Sequence, residues 1–157
     1  MNAAIAKPFR LMDSQERVDL HTYVPAFMAA HPECALYVGS DSQNLGRQTV
    51  YVTAVVMRFP GMGAHVVYRK ERVARISDMW TKLWGETERS VEVACFLRDT
   101  CKLNVERIDL DFNSDPDFSS HKLLSASSGY IQSLGFKSAA KPELLMAAWA
   151  ANVMCQR

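Results

Sequence analysis

The stretch Tyr37-Val-Gly-Ser-Asp-Ser-Gln43 decides how the rest of the chain is interpreted. With the preceding Ala35 and Leu36 it begins as an apolar run, which is typical of a buried strand, and it then reaches the carboxylate of Asp41. A buried acid is costly unless it is paired or binds a metal, and crevices at strand ends of α/β sheets are common ligand sites. Asp41 can also simply begin a turn, since Asp and Ser are frequent turn residues.

The segments that follow predict a mixed β-sheet. Residues 49–57 are β-branched and aromatic on both faces, as in an interior strand, and a turn at residues 60–63 leads into a returning strand at 64–69. Strands over 105–111 and 136–140, each preceded by a helical pattern, are expected to run parallel to the Asp41 strand through right-handed crossovers. We therefore predict an α/β fold whose five strands lie in the order 3-2-1-4-5 and are flanked by helices.

The length of 157 residues suits one domain with a single well-formed core. Residues 1–12 are predicted to be a flexible arm because Pro8 interrupts any helix, and residues 13–157 are predicted to form the domain. An additional N-terminal helix is expected to begin at Asp13 or Ser14, which are suitable N-caps. Further helices are expected over about 78–101, over about 119–134 and from about Pro142 onward.

Composition excludes several classes of protein. Hydrophobic residues make up 48% and charged residues 22% of the chain, so extensive disorder is not expected. No apolar run approaches the roughly 20 residues of a membrane span, and the N-terminus lacks the apolar core of a signal peptide, which together predict a cytoplasmic protein. The four cysteines have no close pair of the kind that zinc sites use, and we interpret them as reduced thiols. A net charge of +1 leaves a nucleic-acid partner open.

Three carboxylates are expected to meet near the Asp41 strand. Asp109 lies on the predicted neighbouring strand, and Glu86 lies on the face of the preceding helix that also carries Ser90, four residues later. Two carboxylates side by side repel each other, and a divalent cation between them removes the repulsion. Oxygen ligands without sulfur or imidazole favour Mg²⁺ or Mn²⁺, which can activate water for phosphodiester hydrolysis. The alternative is that Glu86 and Asp109 are ordinary surface acids.

The order of these elements and acids resembles the ribonuclease H-like fold. Short motifs resemble the YkuK family of small bacterial proteins, and they are Val38-Gly-Ser-Asp-Ser-Gln43, Glu86-Thr-Glu-Arg-Ser90, Arg107-Ile-Asp-Leu-Asp111, Gly129-Tyr130, Gly135-Phe136 and Lys141-Pro142. The resemblance extends over residues 14–154. It implies a predicted nuclease, with Asp41, Glu86 and Asp109 at the metal-ligand positions and Asp111 as an additional ligand or supporting acid.

One departure from the family pattern concerns the last helix. The fold usually carries a fourth acid there, whereas this chain has Asn152 at the matching place. The carbonyl oxygen of Asn152 can coordinate a metal but brings no negative charge. A site with fewer charges is expected to hold a second metal less well.

Several residues are predicted to contact nucleic acid. The densest basic stretch is Arg69-Lys-Glu-Arg-Val-Ala-Arg75, which precedes the Glu86 helix. We expect it to bind phosphates, although it is equally well interpreted as a solvated loop. His121 can contact phosphate or simply lie on a helix surface. The complete set of predicted nucleic-acid-binding residues is Ser42, Gln43, Arg69, Lys70, Arg72, Arg75, His121 and Lys141.

The sequence thus predicts a Mg²⁺- or Mn²⁺-dependent nuclease that acts on RNA, DNA or a hybrid. Asp41, Glu86 and Asp109 are the predicted catalytic residues, and Asp111 and Asn152 complete the predicted metal site. The alternative is a non-catalytic module that binds nucleic acid or a protein partner through a weakened ribonuclease H-like site.

Overall fold

The computed structural model describes residues 8–61, 63–112, 120–140 and 146–157. The strands are β1 (Phe9–Leu11), β2 (Arg17–Val18), β3 (Ala35–Leu45), β4 (Gln48–Arg58), β5 (Ala64–Ala74), β6 (Val105–Leu110) and β7 (Ser138–Ala140). The helices are α1 (Leu20–Ala30), α2 (Met79–Cys95), α3 (Ser120–Ser133) and α4 (Met146–Cys155). A π-helical turn, Phe96–Thr100, continues α2 toward β6. Within these residues no helix is both long and apolar enough to cross a bilayer.

The strands form one mixed sheet in the order β2-β1-β5-β4-β3-β6-β7. β3, β4 and β5 are an antiparallel meander, and β6 and β7 continue the sheet beyond β3 with parallel pairing. The predicted mixed α/β architecture is therefore confirmed. The predicted strand number of five was wrong, and the order of the whole sheet differs from 3-2-1-4-5, because β1 and β2 extend it beyond β5.

The two additional strands come from residues that the sequence assigned to an arm and to a helix. Phe9 is 1% exposed, so the hydrophobic effect draws this segment onto the edge of β5 despite the preceding Pro8. Arg17 and Val18 then pair with β1, which leaves no room for a helix at that point. Helix α1 begins only at Leu20, where Asp19 accepts hydrogen bonds from the backbone and the hydroxyl of Thr22.

The sheet is covered by helices on both faces, as the apolar pattern of β4 predicted. One face packs against α1, α2 and α3 in the larger core cluster. The other face packs against α4, whose alanines and Met154 cover the side chains of Val50, Val52 and Ala54. Small side chains on α4 allow a close approach: a Cβ atom on Gly39 of β3 would lie 2.8 Å from the backbone nitrogen of Ala148.

Candidate functional site

Asp41 lies on β3 near the point where β6 ends. Gly39 pairs with Asp109 of β6 in parallel register, and Asp41, two residues farther along, pairs with Val52 of β4. Its side chain is 8% exposed and points to the α4 face of the sheet. The predicted buried strand with an acid near its end is thus present, and Asp41 is part of a continuous strand rather than of a turn.

Helix α2, which packs on the opposite face of the sheet, brings Glu86 close to Asp41. Glu86 is 4% exposed, and its Oε1 accepts a hydrogen bond of 2.8 Å from the Oγ of Ser42. One turn later, the Oγ of Ser90 donates to the Oγ of Ser40 at 2.8 Å. These two bonds hold the helix on β3 with the predicted Glu86–Ser90 face inward, and Glu88 is exposed, as the helical phase predicted.

The carboxyl groups of Asp41 and Glu86 form a buried pair. They lie within hydrogen-bonding reach of each other, and Oε2 of Glu86 is buried without a hydrogen-bond donor. Burial raises the pKa of Glu86 well above its ordinary value, and the negative charge of Asp41 raises it further. Burial likewise raises the pKa of Asp41, although the hydrogen bond from Asn152 opposes that rise. The pair therefore favours either a proton or a cation between its members.

Asp111, rather than Asp109, is the third acid of this cluster. The negative charge of Asp111 raises the pKa of both Asp41 and Glu86, which places it close to the pair. Asp109 is 1% exposed and is engaged elsewhere, because its Oδ1 accepts from Nε of Arg107 at 2.8 Å and its Oδ2 accepts from the backbone of Ala147 at 3.0 Å.

Asp109 instead anchors the N-terminal part of α4. Burial raises the pKa of Asp109, whereas the positive charge of Arg107 and the backbone donors of Ala147 and Ala148 lower it. Negative charge near the start of a helix is favourable because the unpaired N–H groups there point at it. In this structure Asp109 makes a structural contact, and its assignment as a metal ligand stays a prediction. Alternation along the predicted strand over residues 105–111 could not separate Asp109 from Asp111, since it places both on one face.

Asn152 lies beside Asp41, as predicted. Its Nδ2 donates a hydrogen bond of 2.8 Å to Oδ2 of Asp41, and its Oδ1 accepts one of 3.2 Å from Gln156. In this arrangement the amide group partly compensates the charge of Asp41. Coordination of a metal through the Asn152 carbonyl, as the sequence suggested, requires the amide to turn over.

The predicted basic stretch is the end of β5 rather than an irregular loop, so its side chains alternate between the two faces of the sheet. Arg69 is 1% exposed and pairs with Glu71 at 3.0 Å on the α2 face, which removes it from the predicted phosphate contacts. Lys70 points to the α4 face, toward Met154. Arg72 and Arg75 are exposed, and Arg75 donates to the carbonyl of Gly46 at 2.8 Å.

The remaining predicted nucleic-acid contacts are dispersed. Ser42 is engaged with Glu86, and Gln43 lies two residues beyond Asp41 with a buried Oε1 that lacks a hydrogen-bond donor. His121 is half-buried on α3. Lys141 lies outside the residues that the structure describes.

The fit of this donor set to a divalent cation depends on both its arrangement and its chemistry. No group of three or more His, Cys, Asp or Glu side chains among residues 8–61, 63–112, 120–140 and 146–157 already has the arrangement of a metal site. The chemistry nevertheless fits a hard cation, since Asp41, Glu86 and Asp111 offer only oxygen, and Oε2 of Glu86 is buried without a donor. A bound cation would remove the unfavourable burial of these charges after a change of side-chain rotamers.

A mixed α/β sheet with a carboxylate crevice near the end of its central strand defines a recognisable class of domain. The family model described as Ribonuclease H-like matches residues 19–156, and the chain belongs to this family. The same model covers the YkuK proteins, which confirms the resemblance seen in the sequence. Neither a curated protein nor a solved structure matches the chain.

Proposed function

We propose that this protein is a Mg²⁺- or Mn²⁺-dependent nuclease in which Asp41, Glu86 and Asp111 hold the metal. The observation that carries the proposal is the buried Glu86 carboxylate, which lies close to Asp41 and whose Oε2 has no donor. Asp41 and Glu86 are buried close together, and the pKa of each is raised. Acids with raised pKa values are typical of functional sites rather than of purely structural contacts. Membership of the Ribonuclease H-like family supports the same reaction class.

The residues around the pair have distinct roles in this proposal. Ser42 fixes one oxygen of Glu86 and leaves the other without a donor. Asn152 holds Asp41 in its rotamer by donating to Oδ2. A bound divalent metal would polarise the phosphoryl group and lower the pKa of an attacking water. Asp111 would add negative charge at the open end of the crevice.

A weaker, non-catalytic site is the second candidate, and Asn152 favours it. The amide of Asn152 occupies one oxygen of Asp41 where the family pattern has a fourth acid. Such a site holds fewer negative charges and binds two cations less readily. In that case the domain would bind nucleic acid without cutting it.

A substrate panel separates these candidates. Single-stranded RNA, single-stranded DNA, duplex DNA and an RNA–DNA hybrid are incubated with the protein in Mg²⁺, Mn²⁺ or EDTA. We expect metal-dependent cleavage of at least one substrate by the wild type and by Asp99→Asn, which changes an exposed acid paired with Arg98. Asp41→Asn should abolish cleavage while it still folds.

Two results would contradict the proposed nuclease. Cleavage that survives Asp41→Asn would assign the activity to another site or to a contaminant. Metal-dependent binding without cleavage of any substrate would favour the non-catalytic candidate.

A further inference from the structure

A polar cavity lies on the α4 face of the sheet. Its volume is about 420 Å³, and β1, β5 and the last turn of α4 surround it. Arg10, Lys70 and Arg157 contribute three cationic side chains to its wall. Among the described residues that line it there is no acid, so the cavity is suited to an anion.

The wall of this cavity is built from fixed contacts. The turn between β1 and β2 places Gln15 at a φ of 65°, a conformation that non-glycine residues seldom adopt. The hydroxyl of Tyr68 donates to Oε1 of Gln15, and Nη1 of Arg10 donates to the backbone carbonyl of Gln15 at 2.9 Å. On the opposite side, Nζ of Lys70 donates to the carbonyl of Met154 at 3.3 Å. Both cations are therefore partly oriented before any ligand arrives.

The register of the sheet relates this cavity to Asp41. Asp41 pairs with Val52, and Val52 pairs with Lys70, so Asp41 and Lys70 lie in one row of the sheet and on the same face. Two strand spacings separate them, which is roughly 10 Å. The last turn of α4 lies over this row, since the thiol of Cys155 donates to the carbonyl of Asp41 at 3.5 Å and Nζ of Lys70 donates to the carbonyl of Met154 at 3.3 Å.

We propose that this cationic cavity binds a phosphate of the same nucleic-acid strand whose backbone reaches the Asp41–Glu86 pair. The inference rests on the proposed function and adds the part of the substrate that the carboxylates cannot hold. A phosphate carries the charge that Arg10, Lys70 and Arg157 would neutralise, and a guanidinium can bind it through two parallel hydrogen bonds. At a rise of about 3.4 Å per nucleotide, the separation of roughly 10 Å corresponds to a few nucleotides of one strand.

The arrangement divides the α4 face into an acidic half and a basic half. Asp41 and Asp109, which both contact α4, lie on the β3 and β6 side, and the cations lie on the β5 and β1 side. A nucleic-acid strand that is bound both at the acids and at the cationic cavity can cross the sheet in only one direction. The cavity would thus position the scissile bond, and Arg10 and Lys70 act as positioning residues.

The salt dependence of oligonucleotide binding tests this inference without any cleavage. A fluorescent single-stranded oligonucleotide is titrated with protein in EDTA at several salt concentrations, and RNA and DNA versions are compared. Each phosphate contact contributes about 0.7 to the slope of log K against log salt for a single strand. The double variant Arg10→Gln, Lys70→Gln should therefore lower the slope by about 0.7 to 1.4.

The control variant removes the same charge from the far end of the sheet. Arg58 pairs with Ala35 at the start of β3, and Lys102 lies exposed before β6. Arg58→Gln with Lys102→Gln should leave the slope unchanged. If the double variant folds poorly, Arg157→Gln replaces it in the test, because Arg157 lies outside every helix and strand. This single variant should lower the slope by up to about 0.7.

The possible outcomes separate this inference from the proposed function. A slope that falls with the cavity variants supports the inference, even if no cleavage is found and the nuclease proposal fails. An unchanged slope, or no oligonucleotide binding by the wild type, overturns it. Binding of inorganic phosphate to the cavity without an effect of the variants on the oligonucleotide also overturns it, because the cavity would then serve a free anion.

Discussion

Replacement of Gly39 by alanine tests how α4 is seated on the central strand. The added Cβ would lie 2.8 Å from the nitrogen of Ala148, 2.9 Å from the carbonyl carbon of Ala147 and 2.9 Å from its Cβ. Two of these atoms belong to the helix backbone, so no side chain can turn away to relieve the contact. The helix itself must move.

The expected loss of stability follows from that movement. Overpacking of a tight interface costs about 1–3 kcal/mol. For a domain of this size, 1 kcal/mol changes the melting temperature by about 2–4 °C, so Gly39→Ala should melt roughly 2–12 °C below the wild type. The shift of α4 would also lengthen the bonds from Ala147 to Asp109 and from Asn152 to Asp41, which connects the packing defect to the site.

The matched control is Gly129→Ala. Gly129 is exposed within α3, and a Cβ there would meet no atom within 4 Å. Alanine is the better helix former by about 1 kcal/mol, so this variant should melt slightly above the wild type. Thermal unfolding followed by circular dichroism compares the three proteins. If Gly39→Ala unfolds at the wild-type temperature, α4 does not lie on β3 as described.

Three further predictions concern the acids of the site. Glu86→Gln should abolish metal-dependent cleavage and Glu88→Gln should leave most of it, and the reverse result in the same assay would mean that the wrong face of α2 is inward. In the metal-free protein, burial raises the pKa of Glu86 above its ordinary value of 4.5, so the native state binds more protons than the unfolded state. The free energy of unfolding should therefore fall as the pH rises above about 4.5. Urea titrations should show a much smaller fall for Glu86→Gln than for the wild type. Equal falls in the two proteins would contradict the burial of Glu86. Asn152→Asp should tighten Mn²⁺ binding and raise cleavage. It should also lower the melting temperature of the metal-free protein, because a like charge then faces Asp41. If none of these three quantities changes, α4 does not contribute to the site.

The sequence could predict features that depend on local pattern. The spacing of Glu86 and Ser90 determined the inward face of α2, and the exposed Glu88 follows from the same helical phase. The apolar character of both faces of β4 predicted helices on both sides of the sheet. The contact of Asn152 with Asp41 followed from the family resemblance rather than from any local pattern.

The features that sequence could not predict depend on pairing between distant segments. β1 and β2 span three and two residues, which is too short for a periodicity, and they exist because β5 offers an open edge. β5 likewise continues to Ala74, beyond the predicted end at residue 69, and this extension places Lys70 on the face toward α4. The contact of Asp109 with the backbone of α4 also depends on where this distant helix packs.

Direct titration with metal tests the central claim, that Asp41 and Glu86 form a divalent-cation site. Isothermal titration calorimetry with Mn²⁺ should give saturable binding to the wild type and to Asp99→Asn, and no saturable binding to Asp41→Asn or Glu86→Gln. Mg²⁺ should compete with Mn²⁺ for the same site. Equal Mn²⁺ binding by the wild type and Asp41→Asn, or none by the wild type, would contradict the account.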